Sequence, residues 1–308
     1  MRCARCGLPL GAGGLRVPGG ALHAECFLCV DCGGRLEGRY VQGANGTVHH
    51  PACYARVHAE VCVICGQGML GQYVQDASGR RFHARHLKEF PRCSTCGQLC
   101  ALGLAGQGRS LGDGRVQCLS CHGRAVRGTR EALPHWRRVV DLLASWGLEV
   151  DVSEVPFELV DRQRLYRLLQ AAGQRPHPSL HGLTRHGIHR RGGRVVRREI
   201  SVHAMTWLPA ELLDGILAHE LGHVWIYQQE CPVHQPELAE GACNVLRWMV
   251  HVHQGGPEAE RLIREMDADP HPAYGGGFRR VRRMVERQGL GRLLQHLRRS
   301  ATFPLLSW

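Results

Sequence analysis

The chain has no apolar run approaching the ~20 residues that a bilayer-spanning helix needs. Its N-terminus lacks the apolar segment of a secretory signal, and Cys3, itself a candidate ligand, stands where one would begin. No membrane partner is expected, and the expected compartment is the cytoplasm. Lysine is almost absent: Lys88 is the single one, so arginine carries nearly all of the formal charge of +12. A basic chain can bind nucleic acid or acidic surfaces. Here Arg, Ala and Gly are abundant together, as codon bias in a GC-rich genome makes them, and the basic stretches lack interleaved aromatics. Nucleic acid is therefore not the expected partner. Without an export signal the 15 Cys argue for zinc in a reducing compartment rather than for disulfides. A length of 308 residues with 44% apolar side chains suits two or three domains with at least one real core.

Twelve of the Cys fall in pairs spaced by two residues, either with another Cys or with a His. Cys3 and Cys6 are followed by His23 and Cys26; Cys29 and Cys32 are followed by His50 and Cys53. Tetrahedral zinc takes four N or S ligands, and a two-residue spacer places a ligand pair on one tight turn. His49 is a register alternative to His50, but only His50 keeps the spacing. Two complete sets separated by two residues resemble a LIM domain, over residues 1–59. A second run, 60–128, repeats the plan with Cys62, Cys65, His83 and His86, then Cys93, Cys96, Cys118 and Cys121. Its gap of six residues between His86 and Cys93 departs from the LIM spacing, so it is LIM-like, with its halves set differently. Cys100 is left over. Four structural zinc ions are expected, and they should supply much of the folding energy of these small modules.

From about Thr129 the pairs stop and helical periodicity begins. The spacing predicts a helix over Trp136–Trp146 stopped by Gly147, and a strand over Val155–Val160. A second helix is expected from Asp161 to Ala172 with Asp161 as its cap. A turn-rich stretch comes next, Gln174 to Gly193, with Pro176 and Pro178, and then a strand over Arg194–Ala204. Leu208 to Tyr227 reads as a buried helix, with Pro209 in its first turn and Glu211 and Asp214 near its positive end. On it, His219 and His223 are four residues apart and share a face, so both can reach one metal ion. Glu220 lies about 100° round the helix, beside such a metal, where a general base belongs. Glu230, Glu237 and Glu240 compete as third ligand. Ile226 and Gln229 exclude the extended metzincin pattern, and Glu230 is too close to the helix end to fold back.

Glu240-Gly241 resembles the Glu-Gly pair with which zinc aminopeptidases complete their site, and that resemblance selects Glu240. It also implies that Asn244, one turn further, accepts an N–H from a ligand histidine. In the gluzincin class the strand before such a helix lines the cleft and pairs with extended substrate, which assigns that role to Glu199–His203. An oxyanion donor is also required, for which Tyr274 is the first candidate, with His271 and His203 behind it. Taken together, the LIM-type modules, Leu217–His223, Glu240–Cys243 and Ala273–Arg279 resemble the LIM-domain peptidases of plants, ubiquitin-activated zinc enzymes that restrain organ growth. The fold this implies is a multidomain α+β chain: two LIM or LIM-like modules, then a mainly helical zincin-like domain over 129–308 with a small sheet. The activity implied is zinc-dependent cleavage of protein substrates, with one catalytic zinc and with the LIM modules recruiting substrates or partners or controlling access. Cys3 begins the first module where plant members carry preceding ubiquitin-interacting helices, which argues against ubiquitin dependence. Ala239 stands where the family usually has an acid. The rival readings are a catalytically inactive scaffold for protein–protein interaction and a nucleic-acid-binding zinc protein. The basic stretch from Gly275 onward, eight Arg against one acid, fits a solvated helix face.

Overall fold

A computed structural model describes residues 1–303 apart from 12, 18, 44–45, 77, 104–107, 174–179 and 193. The chain divides into two compact units, Met1–Ser110 and Leu111–Trp308. That division falls inside the stretch read from sequence as the second zinc module, not at 128/129, because residues 111–127 pack with the helical part of the chain.

The first unit is built of short antiparallel ribbons: Leu15–Val17 with Gly20–Leu22, Val41–Gln42 with Val48–His49, and Tyr73–Gln75 with Arg81–His83. Two small apolar clusters sit among them, one around Phe27, Leu36 and Val48, the other around Ile64, Phe82 and Leu99. Buried Cys3, Cys29 and Cys62 belong to these clusters, so the core and the ligand sets share residues. So few apolar side chains cannot offset the ordering entropy of a hundred-residue unit without further ties.

The second unit is mainly helical around a three-stranded sheet. Its labelled elements are β1 (Ala125–Val126), α1 (Thr129–Ser145), β2 (Phe157–Val160), α2 (Arg162–Ala171), β3 (Gly182–Arg191), β4 (Arg194–Met205), β5 (Leu208–Pro209), α3 (Ala210–Gln228), α4 (Pro236–Gln254), α5 (Gly256–Ala268), α6 (Gly277–Gln288) and α7 (Leu290–Arg299). Asp161 caps α2 as expected, its Oδ1 accepting from Arg164 N at 2.7 Å. Gly147, at φ +86°, closes α1. Strand order is β2-β4-β3, with β2 parallel to β4 and β3 antiparallel. Residues 182–191, expected as turns, are thus a strand; residues 174–179 and 193 of that stretch, with Pro176 and Pro178, lie outside the described residues. Val202 and Ala204 of β4 are fully buried.

Helix α3 is apolar on almost every side and is buried accordingly, Leu213, Leu217, Leu221 and Val224 completely. Asp214 does more than complement the helix dipole. It is buried, and its carboxylate accepts from His135 Nδ1 at 2.7 Å, Arg138 Nη2 at 2.5 Å and Gln254 Nε2 at 3.0 Å. The lead-in to α3 is held by the start of the unit. Arg115 Nη2 donates to Thr206 O at 2.8 Å, Gln117 Nε2 donates to Trp207 O at 2.6 Å, and β1 pairs with β5. Trp207 sits at φ +62°, a conformation that costs a non-glycine residue about 1–3 kcal/mol and persists where its surroundings fix it. His122 stacks on its ring at 4.8 Å and Arg127 lies over it at 5.5 Å.

Candidate metal centres

In the first unit three ligand sets come together: Cys3, Cys6, His23 and Cys26; Cys29, Cys32, His50 and Cys53; Cys62, Cys65, His83 and His86, each with its four ligand atoms within 4.8 Å of one another. The histidines are set for metal. His23 Nε2 donates to Pro9 O at 3.0 Å and His50 Nε2 to Arg35 O at 2.8 Å, so each Nδ1 keeps its lone pair, facing Cys6 Sγ at 3.4 Å and Cys32 Sγ at 3.3 Å. His86 uses its other nitrogen: Nδ1 donates to Glu89 at 2.6 Å, and the buried Nε2 has no hydrogen bond. Burial opposes ionisation of Cys3, Cys29 and Cys62, but backbone N–H groups outweigh it and bring these thiols down to about 6. Burial and the neighbouring sulfurs push Cys26 and Cys53 up to about 11. A set that ionises one thiol and resists the next calls for a divalent cation, and sulfur with imidazole suits zinc. His49 turns away, to Asp31 at 2.7 Å and Thr47 at 2.8 Å, which leaves the ligand position to His50. Of the fourth expected set, Cys93 and Cys96 lie in the first unit and Cys118 and Cys121 in the second. Cys118 caps the turn Leu119–Gly123, its Sγ accepting from Cys121 N at 3.5 Å. Cys100 is buried.

In the second unit, α3 and α4 pack side by side and bring His219, His223 and Glu240 together. Glu240 Oε2 is 3.2 Å from His219 Nε2 and 3.5 Å from His223 Nε2, and the two imidazole nitrogens are 3.2 Å apart. His219 Nδ1 donates to Asn244 Oδ1 at 2.9 Å, so its Nε2 presents a lone pair to the other two atoms. Glu240 Oε2 is buried with no donor aligned on it. Burial alone would raise the Glu240 carboxyl, but the charge of His223 beside it holds it well below the carboxylate range. Burial would lower His223, but Cys243 and Glu240 hold it well above its usual value. Three converging ligand atoms, one of them a buried oxygen with no donor, fit a metal with N and O ligands. The competing acids are elsewhere: Glu230 is exposed and pairs with Arg198 at 2.8 Å, and Glu237 stands in the first turn of α4.

His219 opens on a cleft of about 480 Å³, lined also by Leu180–Gly182, Glu220, Asn244, Arg247 and Tyr274 among others. Glu220 Oε2 accepts from the buried Thr184 hydroxyl at 2.7 Å. Its Oε1 faces Gly182, where an added Cβ would lie 2.4 Å away. The strand that lines the cleft is therefore β3. Glu199–His203, expected there, belongs to β4, the middle strand of the sheet, and is not among the residues lining the cleft. In the β3–β4 ladder Met205 N donates to His181 O, so the alternate residues Gly182 and Thr184 point their backbone groups to the open edge. Of the oxyanion candidates only Tyr274 lines the cleft. It is set by a single π-helical turn, Pro272–Gly276, with Asn244 Nδ2 donating to its carbonyl at 3.1 Å. Burial, reinforced by Glu240, raises its phenol, which stays a donor. His271 Nδ1 instead accepts the N–H groups of Ala273 and Tyr274, and His203 lies against Ser201 and Glu158. Thr184, Gly182 and Arg247 escape a reading by sequence. Arg247 carried a signal, since it falls on the Glu240–Asn244 face; the two β3 residues carried little, in a segment dominated by Pro and Gly.

No protein-family model matches the chain. The chain is 25% identical over 370 residues to Protein DA1-related 2 of Arabidopsis thaliana, with 98% of this chain and 70% of that one covered. It is 25% identical over 366 residues to Protein DA1 of the same plant, covering 98% and 68%. To the LIM domain-containing protein HDR3 of Oryza sativa subsp. japonica it is 24% identical over 351 residues, covering 92% and 70%. The similarity runs through both units, and the chain is a relative of these plant proteins.

Proposed function

We propose that this relative of the DA1-type proteins is a zinc-dependent endopeptidase of gluzincin type, acting on protein substrates. The convergence of His219, His223 and Glu240, with Asn244 fixing the His219 tautomer, carries the reading. Zinc held by those three residues would supply a Lewis acid toward water and the scissile carbonyl, with a position left open on the cleft side. The chain's own groups do the rest. Thr184 holds one oxygen of Glu220, so the proton of the attacking water goes to Oε1 and from there to the leaving amine. The Tyr274 phenol donates to the oxygen of the scissile carbonyl as charge develops on it. The open edge of β3 at Gly182 and Thr184 aligns extended substrate by backbone pairing, so affinity does not depend on particular side chains. The LIM-type unit recruits substrates or partners, or governs entry to the cleft.

The test compares wild type with Glu220→Gln on a protein substrate at equal zinc content. Loss of the general base should slow cleavage by about 10²–10⁴-fold. Equal rates would refute the mechanism, and an inactive wild type with full zinc would favour the scaffold reading.

A further inference from the structure

The structure assigns Arg247 the binding of a substrate carboxylate in the cleft, an assignment that rests on the peptidase reading above. Arg247 follows Glu240 and Asn244 along one face of α4 and lines the same cleft as Glu220 and Tyr274. Its Nε donates to His251 Nε2 at 3.5 Å. His251 can accept there because its Nδ1 donates to Gln254 Oε1 at 3.0 Å, and Gln254 is tied in turn to Asp214 at 3.0 Å. The guanidinium is thus anchored from behind by a neutral imidazole, and among the described residues its two terminal nitrogens have no hydrogen-bond partner, in a side chain that lines the cleft.

Among the described residues no carboxylate stands within 4.0 Å of it. The two acids nearest in the cleft wall favour its charge only from a distance and bond elsewhere: Glu265 with Arg261, and Asp269 Oδ1 with His271 N. Other arginines of the unit are paired: Arg115 with Asp113, Arg138 with Asp214, Arg282 with Asp267. A cation taken partly out of water with no carboxylate in direct contact is costly, and the natural complement of a forked guanidinium is a carboxylate bound bidentately. A peptide backbone carries no charge, so the anion must be an acidic side chain near the scissile bond or the chain's C-terminal carboxylate.

The experiment uses peptides differing only by Glu against Gln at each position flanking the scissile bond in turn, each with a free or an amidated C-terminus. Wild type should show a kcat/KM about tenfold or more higher for the carboxylate member at one position or at the free terminus, and which of the two responds identifies the source. In Arg247→Gln that ratio should fall to near one, and in Arg247→Lys, which keeps charge without the fork, to an intermediate value. Zinc content reports folding. A wild-type ratio near one, or an unchanged ratio in Arg247→Gln, overturns the assignment; so does a uniform loss on all peptides, which would mean contact with backbone carbonyls. If zinc-loaded wild type cleaves none of them, the peptidase reading fails by itself. The same peptides are then titrated onto wild type and Arg247→Gln by fluorescence anisotropy: a tenfold carboxylate preference lost in the variant upholds the assignment, and equal binding overturns it.

Discussion

Gly182 and Glu220 meet where an added Cβ at 182 has no room. A methyl group at 182 would lie 2.4 Å from Glu220 Oε1 and 2.8 Å from Ile216 Cγ2, so the carboxylate has to move. Gly182→Ala should therefore lower kcat by about 100-fold, the usual cost of a small misplacement of a reacting group, with little change in zinc content or KM. Steady-state kinetics with metal analysis checks this; an unchanged kcat would mean that Oε1 is not the proton-accepting atom. At this scale the sequence spoke clearly wherever spacing along one helix decides the geometry. His219 and His223 are four apart, and Asn244 is four beyond Glu240. It was silent about Thr184, which reaches Glu220 from 36 residues away, because nothing in a local pattern marks a hydroxyl that will be brought back by a hairpin.

Helix α4, which carries Glu240, is positioned by a close crossing with α6. At Gly241 an added Cβ would sit 2.5 Å from the carbonyl carbon of Gly277, so α4 and the start of α6 touch through backbone. Gly241→Ala should cost about 1–3 kcal/mol by overpacking and lower the unfolding temperature seen by calorimetry. Because Glu240 is the adjacent residue, zinc affinity of the second unit should drop with it. Helix period and caps made α1 to α3 readable in advance, Asp161 and Gly147 included. Strand order was not readable: β4 has the alternation of a half-buried strand, yet alternation does not say which neighbour takes its edge. The arginines after Gly275 also looked different in sequence. Arg279 bonds the carbonyls of Asp267 and Asp269, Arg280 lies over Phe303 and Arg298 over Trp225, so much of that charge is used in packing.

For the whole molecule, acidity should act through His251. It is fully buried, and burial, aided by Arg247 and Arg261 and resisted by Gln254 and Asp214, brings it down to about 4. The unfolded value is about 6.5. Between those values the unfolded chain binds a proton that the folded chain refuses, so stability falls as pH drops through that window, by up to ~3 kcal/mol. Urea unfolding of wild type and His251→Gln, both compared from pH 7 to 4, should show the variant gaining on wild type by that order; parallel curves would refute it. The division of the chain at Ser110/Leu111 was the least legible feature, since evenly spaced Cys pairs run straight across it. What decides it is the grip of Arg115, Gln117 and β1 on the strand that leads into α3. A protease nick ahead of Leu111 spares that grip and leaves the cluster of His219, His223 and Glu240 whole. A nick between Gln117 and Val126 lets Trp207 relax from its strained turn, and the helix bearing both imidazoles loses its mooring.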